Sequence, residues 1–289
     1  MEINEIVVIS GKGGTGKTTL TASLIPYFKK VVIADCDVDA PDLKILFEGE
    51  NKNTENFVGL KKAVIDENIC IKCGLCYEKC KFSAINTEII INSSKCEGCS
   101  VCEYICPVNA IKMVDAVVGQ IFISNTDYGD MVHARLIPGE ETSGRLVSEV
   151  RKRAKKIAKE TNKDTIIVDG SPGIACNVIS SITGAKQVII VTEPTLSGLH
   201  DLVRVYELTK KFRLKVSVVI NKYDLSMEMT SKIEEFCVEN NIDLGLKIPF
   251  DKRMVEAIVN KEIPSIREKK LFSSILFEEF VNKLKSFQN

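Results

Sequence analysis

The chain has 289 residues, of which 45% are hydrophobic and 27% charged, so it can bury one large core and form a smaller second domain. Lysine and arginine total 39, as do aspartate and glutamate, and this balance indicates neither nucleic acid nor an anionic membrane as a partner. No apolar run approaches the ~20 residues that span a bilayer, and the N-terminus has no export signal, so we expect a cytoplasmic protein.

The first motif is a phosphate-binding loop that follows a predicted strand at 6–9. Residues 10–19 read S-G-K-G-G-T-G-K-T-T and fit the pattern G-x4-G-K-T. The glycines let backbone N–H groups turn toward phosphates, and a helix that begins near Lys17 adds its positive dipole end. We expect Lys17 to reach the β- and γ-phosphates and Thr18 to bind Mg²⁺. The predicted nucleotide-binding residues of the loop are Gly11, Lys12, Gly13, Gly14, Thr15, Gly16, Lys17, Thr18 and Thr19.

Lys12 makes this loop more specific. With it, the loop reads K-G-G-x-G-K-T and resembles the deviant Walker A loop of the MinD/ParA superfamily, which includes the nitrogenase iron protein and ATPases that carry iron–sulfur clusters. The resemblance implies an ATP-dependent homodimer in which Lys12 crosses the interface and stabilises charge on the other subunit's nucleotide. Lys12 and Lys17 are therefore candidate catalytic residues.

A second predicted strand, at 31–34, ends in a run of acidic residues. Residues 35–42 read D-C-D-V-D-A-P-D and resemble the switch I segment of the same ATPases. The resemblance implies that Asp35 belongs to the Mg²⁺ shell and that Asp37 or Asp39 orients the attacking water. All three lie on one side of an extended strand end, so the spacing does not choose between the last two.

Eight of the eleven cysteines form two runs with one spacing, C-x2-C-x2-C-x3-C, within residues 70–106. This spacing resembles two-cluster ferredoxins, in which the fourth cysteine of each run binds the cluster of the other run. The resemblance implies two 4Fe-4S clusters. One would be held by Cys70, Cys73, Cys76 and Cys106, and the other by Cys96, Cys99, Cys102 and Cys80.

Disulfides and zinc are the alternative uses of these cysteines. Disulfides suit secreted chains, and zinc prefers paired C-x2-C knuckles to a triple run. One departure from the ferredoxin pattern is Lys81, which stands after the first run where proline is usual, whereas Pro107 follows the second. This flanking change removes no ligand and leaves the cluster interpretation in place.

A third apolar strand, at 165–168, ends in Asp169 and precedes Gly-Ser-Pro-Gly. It resembles the Walker B and switch II region, which implies that Asp169 holds Mg²⁺ through water. Cys176 follows seven residues later, at the interval of a bridging cluster ligand in the nitrogenase iron protein. The second cysteine for such a bridge is missing between 121 and 163, so a buried, structural Cys176 is the preferred interpretation and a bridging cluster stays open.

The nucleobase site is less clearly marked. The strand at 216–220 ends in Asn221-Lys222-Tyr223-Asp224, which matches the guanine-reading pattern N-K-x-D. The family resemblance instead favours adenine, contacted by Asn221 and by Pro249 in a later loop. ATP is therefore the preferred nucleotide, and GTP stays the alternative. Asp224 is expected to start the following helix.

These elements predict an α/β P-loop NTPase with a mostly parallel sheet, interrupted by a small bacterial-type ferredoxin domain. The predicted ATPase parts are residues 1–62 and 115–289, and the insertion is 63–114. Residues 128–145 look too irregular for a strand or helix. The amphipathic stretch 271–287 is expected to pack on the domain rather than on a membrane.

The leading functional hypothesis is a dimeric ATPase whose nucleotide state controls electron transfer through two 4Fe-4S clusters to a partner protein. An alternative is an ATP-dependent factor that assembles or inserts an iron–sulfur or metal cofactor into a maturation partner. A third is a positioning or scaffold ATPase of the MinD type, in which the ferredoxin domain would be structural.

Overall fold

The computed structural model describes residues 3–140 and 143–286. Its strands are β1 Asn4–Ser10, β2 Val31–Asp35, β3 Gly49–Val58, β4 Lys62–Ile65, β5 Ile111–Val114, β6 Val117–Thr126, β7 Gly129–Leu136, β8 Thr165–Pro172, β9 Gln187–Thr192, β10 Lys215–Asn221 and β11 Asp243–Ile248. Its helices are α1 Lys17–Leu24, α2 Leu43–Leu46, α3 Leu75–Lys79, α4 Val101–Tyr104, α5 Ser143–Glu160, α6 Cys176–Ile182, α7 Leu196–Lys211, α8 Met227–Glu239, α9 Lys252–Val259, α10 Pro264–Arg267, α11 Lys269–Ser274 and α12 Phe277–Lys285.

The chain divides into two compact units. The large unit takes the described residues of Met1–Thr54, Ile121–Arg135 and Ser143–Asn289, and the second takes those of Glu55–Gln120 and Leu136–Thr142. The second unit contains both cysteine runs and is called the cysteine unit below. The predicted insertion at 63–114 lies within it.

Among the described residues, the main sheet has nine strands in the order β11-β10-β9-β1-β8-β2-β7-β6-β3. The pairings from β11 to β7 are all parallel. Such strands are buried on both faces, and β1, β2, β8 and β9 are accordingly runs of valine and isoleucine with almost no exposed surface. The predicted α/β P-loop fold with a large, mostly parallel sheet is confirmed.

The C-terminal segment packs on the large unit, but it is not one continuous helix. Leu276 has a φ of 57° and separates α11 from α12. Phe272, Phe277 and Phe280 join the core around β1 and α1. The two helices therefore bury their aromatic side chains on one body, whereas Leu276 between them is largely exposed.

The prediction that residues 128–145 lack regular structure is wrong for most of the segment: only 137–140 of the described residues after β7 form neither strand nor helix, and 141–142 lie outside the described residues. The segment forms β7, which pairs in parallel with β2, and the start of α5. Met131, Val132 and Ala134 are fully buried in β7. The glycine and charged residues that suggested a loop lie near the strand ends, and tertiary burial of the apolar centre decides the local structure.

The cysteine unit is a repeat with little regular structure. Its antiparallel pair β4 and β5 joins Lys62 to Val114 and Ile65 to Ile111. Three pairs of residues with positive φ recur 26 positions apart: Lys72 and Gly98, Gly74 and Ser100, Ser83 and Asn109. Helices α3 and α4 follow the second pair and have the same offset. The cysteine spacing is therefore accompanied by a repeated backbone conformation.

Candidate functional site

The phosphate-binding loop joins β1 to α1 at the carboxyl edge of the sheet. Gly14 and Gly16 have φ values of 81° and 90°, which favour glycine. A Cβ on Gly16 would also stand 2.3 Å from Asn221 Nδ2, so a side chain has no room there. No side chain caps the N-terminus of α1, and its first N–H groups can therefore bind an anion.

Lys17, at the start of α1, makes ion pairs with carboxylates from two neighbouring strands. Its Nζ lies 3.0 Å from Asp169 Oδ1 and 3.5 Å from Asp37 Oδ2. Burial acts to lower the pKa of Lys17, but Asp169 and Asp37 outweigh it and raise the pKa above its ordinary value. Lys17 is thus a firmly charged ammonium group at the end of the loop.

Two hydroxyl groups of α1 fix the Asp169 carboxylate. Thr18 Oγ1 donates to Asp169 Oδ2 at 2.7 Å, and Thr21 Oγ1 donates to Oδ1 at 2.8 Å. Thr18 and Asp169 were both predicted to belong to the Mg²⁺ shell, and the structure brings them together. Thr21 was missed. Its position one turn after Lys17 is the signal that could have placed it on the same helix face.

The switch I acids occupy three different environments. Asp35 is fully buried and accepts hydrogen bonds from the backbone N–H groups of Asp37 and Leu43. Burial first, and the Asp169 charge second, hold the pKa of Asp35 well above its usual range. Burial also raises the pKa of Asp37, which Lys17 partly offsets. Asp39 is exposed, so it is Asp37 that lies beside Lys17.

Lys12 reaches the start of α7 instead of pointing into its own loop. Its Nζ donates to Ser197 Oγ at 3.2 Å and lies 3.7 Å from Glu193 Oε2. Lys222 donates to the other oxygen of the same glutamate at 2.6 Å. Glu193 therefore stands between two lysines of the site, a role that sequence analysis missed because no pattern marks the residue.

A cleft of about 250 Å³ opens beside the loop. Asn221 lines it and donates from Nδ2 to Thr15 O at 2.8 Å, which ties the end of β10 to the phosphate-binding loop. Its other lining residues are Gly14, Gly16, Thr19, Lys222, Pro249, Phe250, Asp251, Met254, Val255 and Ile258. The two predicted base contacts, Asn221 and Pro249, thus share one largely apolar cleft, which suits a purine ring.

In the cysteine unit, the eight cysteines of the two runs line two cavities. One is lined by Cys80, Cys96, Cys99 and Cys102. The other is lined by Cys70, Cys73, Cys76 and Cys106. Each cavity thus takes three cysteines from one run and the fourth from the other. Among residues 3–140 and 143–286, however, no group of three or more histidine, cysteine, aspartate or glutamate side chains is arranged to hold a metal ion.

Backbone N–H groups donate to several of these sulfurs. Ala84 N donates to Cys80 Sγ at 3.4 Å, and Ala110 N donates to Cys106 Sγ at 3.2 Å, again 26 residues apart. Burial acts to raise the pKa of Cys106, but N–H donors led by Ala110 outweigh it and lower the pKa. Burial raises the pKa of Cys102 to about 11. The thiols therefore differ in how readily they ionise.

The cysteines outside the runs have separate environments. Cys36 and Cys237 are buried, and burial raises the pKa of both thiols, as suits structural residues. The preferred interpretation of Cys176 as a buried residue is wrong, because it is exposed at the start of α6. No helix within the described residues is long and apolar enough to cross a membrane.

Known proteins share this architecture. The chain is 32% identical over 292 aligned positions to an uncharacterized protein of Methanocaldococcus jannaschii, MJ0578, and the match covers 99% of this chain and 98% of that one. The septum site-determining protein MinD of Pyrococcus horikoshii, solved with Mg-ADP, matches with a TM-score of 0.57 at 19% identity, covering 99% and 96% of the two chains. MinD in a MinC:MinD complex of Aquifex aeolicus matches with a TM-score of 0.56 at 19% identity, covering 98% and 95%.

These two solved structures share the fold of this chain. The model of the CobQ/CobB/MinD/ParA nucleotide-binding domain matches residues 6–264, which is most of the chain. The protein therefore belongs to the CobQ/CobB/MinD/ParA family of nucleotide-binding ATPases.

Proposed function

We propose that this protein is an ATP-hydrolysing switch of the MinD type whose cysteine unit houses two 4Fe-4S clusters. The observation that carries the ATPase part is the contact of Lys17, Thr18 and Asp169 at the end of the phosphate-binding loop. It joins the three groups that a P-loop enzyme uses to hold phosphate and Mg²⁺ at one point.

The side chains present fit Mg²⁺ and a triphosphate. Hydroxyl and carboxylate oxygens are the hard ligands that Mg²⁺ prefers, and Thr18 and Asp169 supply one of each, with Asp35 behind them on β2. Bound Mg²⁺ would neutralise charge that develops on the phosphates. Lys17 would bind phosphate oxygens, and Asp37, half-buried beside it, is better placed than exposed Asp39 to orient water.

Lys12 supports the proposed dimer because its ammonium group is over a third exposed and is held by a surface serine and glutamate. We expect Lys12→Ala to remain monomeric with a non-hydrolysable ATP analogue, in light scattering, while wild type becomes dimeric. ADP affinity should stay within about twofold of wild type, since the residue serves the other subunit. Lys29→Ala, at an exposed lysine outside the site, is the control.

The four-cysteine cavities support the cluster part of the proposal. The thiolates of a four-iron cluster bind four different iron atoms, so they stand farther apart than the ligands of one ion. A cluster site therefore need not satisfy the geometry of a single-ion site, which the described residues do not form. When bound, such clusters supply one-electron chemistry, and N–H groups such as that of Ala110 tune the potential through the sulfurs.

Three physiological roles are candidates. Likeness to MinD proteins favours an ATP-driven positioning or scaffold switch that binds a partner protein, as the Aquifex MinC:MinD complex illustrates for that protein. Electron transfer to a redox partner is the second candidate, favoured by the two cavities. ATP-dependent cofactor assembly for a maturation partner is the third.

Anaerobic purification followed by iron analysis tests the cluster part. We expect about eight iron atoms per chain, with Cys73→Ser reducing the content and Cys176→Ser, at an exposed cysteine outside the runs, leaving it unchanged. A content near zero would contradict the proposal.

Two further measurements distinguish the three candidate roles: the reduction potential with and without ATP, and cluster transfer to an apo-protein. A nucleotide-dependent potential supports electron transfer, cluster transfer supports assembly, and neither response supports a scaffold.

A further inference from the structure

The segment Asn221–Asp224 fits a guanine-reading motif in sequence but has a different arrangement in the structure. After β10, Lys222 takes a left-handed conformation with a φ of 57°, and a short 3-10 turn follows at Tyr223–Leu225. Ser226, not Asp224, caps the helix α8, because its side chain accepts from Met229 N. The expectation that Asp224 starts this helix is therefore wrong.

Asp224 instead binds the loop that follows β11. Its Oδ1 accepts a hydrogen bond from Phe250 N at 2.6 Å. Asp224 is exposed, so this hydrogen bond lies at the protein surface. Phe250 and its neighbour Pro249 line the purine cleft, whereas Asp224 is not among the described residues that line it. The carboxylate thus contacts the Pro249–Phe250 loop, which forms one wall of the cleft, without lining the cleft itself.

The segment Asn221–Asp224 also contacts the phosphate-binding loop, which lines the same cleft. Asn221 donates to Thr15 O in the phosphate-binding loop, at 2.8 Å. Thr230 Oγ1 donates to Tyr223 O at 2.7 Å and fixes the turn between the two contacts. Asn221 and Asp224 therefore set the spacing between the phosphate-binding loop and the Pro249–Phe250 loop, where a purine ring would insert.

Guanine recognition by N-K-x-D needs an aspartate whose two oxygens accept from the N1–H and N2 donors of the base. In this chain one oxygen already accepts from the protein backbone, and the group stands outside the cleft lining. The N1–H and N2 donors of a bound guanine would therefore lack this acceptor. Polar groups that stay unpaired in a site weaken binding. Adenine has neither an N1–H nor an N2 donor, so it loses no hydrogen bond when this acceptor is absent.

We propose that Asp224 is a positioning residue that sets the purine preference of this cleft, by holding Phe250 in place and withholding from guanine the acceptor that the motif normally provides. The inference rests on the function proposed above in one respect, that nucleotide binds in this cleft. Asp224 touches no part of the nucleotide itself.

The test is calorimetric titration of Mg-ADP and Mg-GDP into wild type, Asp224→Ala, Asp224→Asn and the control Glu228→Ala, with hydrogen exchange of the Phe250 N–H measured in each. Glu228 is an exposed acid on α8 that binds only Lys232 among its described contacts. We expect wild type to bind ADP at least about tenfold more tightly than GDP.

Asp224→Ala should weaken ADP binding about tenfold and remove the exchange protection of the Phe250 N–H, because the wall of the cleft is no longer held. The ratio of ADP to GDP affinity should narrow, because GDP, which already binds weakly, gains less from the ordered wall. Asp224→Asn keeps an acceptor oxygen and should retain most of the preference, and Glu228→Ala should match wild type. A larger loss of GDP than of ADP affinity in Asp224→Ala would show that the carboxylate reads guanine and overturn the inference, as would an unchanged ratio. Wild type that binds neither nucleotide would overturn the proposed function together with it.

Discussion

In the large unit, Asp35 and Asp169 stand opposite each other on neighbouring parallel strands, and the valine, isoleucine and alanine residues just before them are fully buried. In the cysteine unit, the buried cluster has few apolar side chains and includes Cys76 and Cys96 themselves. The sheet thus holds the two aspartates with an apolar core made of other residues. The core described for the cysteine unit is much smaller, and cysteines of the two runs are part of it.

Iron removal should produce the largest difference in behaviour between the two units. We expect an anaerobically chelated sample to lose hydrogen-exchange protection across 55–120, because metal binding supplies folding free energy where apolar burial is small. ADP affinity of the same sample should stay within about twofold, since the large unit has its own core. Retained protection over 55–120 after iron loss would contradict the contrast between the units.

Lys17→Ala tests the charged centre of the large unit. We expect ATP hydrolysis to fall at least about 100-fold, because Lys17 is the ammonium group that pairs with Asp169 at the end of the phosphate-binding loop. The measurement is phosphate release under saturating Mg-ATP. Lys29→Ala serves as the matched exposed lysine, and equal activity of the two variants would remove Lys17 from the mechanism.

Thr21→Val tests whether a buried hydroxyl supports Asp169. Thr21 is fully buried, and its hydroxyl lies within hydrogen-bonding distance of two acceptors, Asp169 Oδ1 and Lys17 O, to which its single proton can be donated. We expect the free energy of unfolding in urea to fall by about 1–2 kcal/mol, with a smaller loss in Thr21→Ser, which keeps the donor. If serine and valine destabilise the protein equally, the loss comes from packing and not from the hydrogen bond.

A pH series of Asp35→Asn tests the buried acid of β2. The pKa of Asp35 is raised in the folded state, so the native protein holds a proton that the unfolded chain releases above its ordinary pKa near 3.8. Wild type should therefore lose stability relative to Asp35→Asn as the pH rises from about 4 toward the folded pKa. Denaturant unfolding at successive pH values measures this, with Asp42→Asn as the exposed control. A constant difference across the series would contradict the raised pKa.

Sequence alone predicts the parts of the large unit whose residues are forced by chemistry. Gly14 and Gly16 of the P-loop have left-handed φ values, which favour glycine, and the apolar runs before Asp35 and Asp169 form buried strands. It misses β3, whose residues 49–58 are polar and mostly exposed, because such an edge strand has no hydrophobic period.

The missed site residues have a different cause. Glu193 and Thr21 gain their roles only when β9 and α1 are brought beside Lys12 and Asp169. Asp224 matches a motif letter for letter, yet its partner is a backbone N–H 26 residues farther along the chain. Local patterns determine which residues are candidates, and tertiary contacts determine which of them touch.

The exchange of the fourth cysteine couples the two halves of the cysteine unit. Cys80 lines the cavity of the second run and Cys106 lines that of the first. Each half offers only three of its own thiols to the cavity that it mainly builds, so a substitution at Cys80 would alter the cavity of the opposite half.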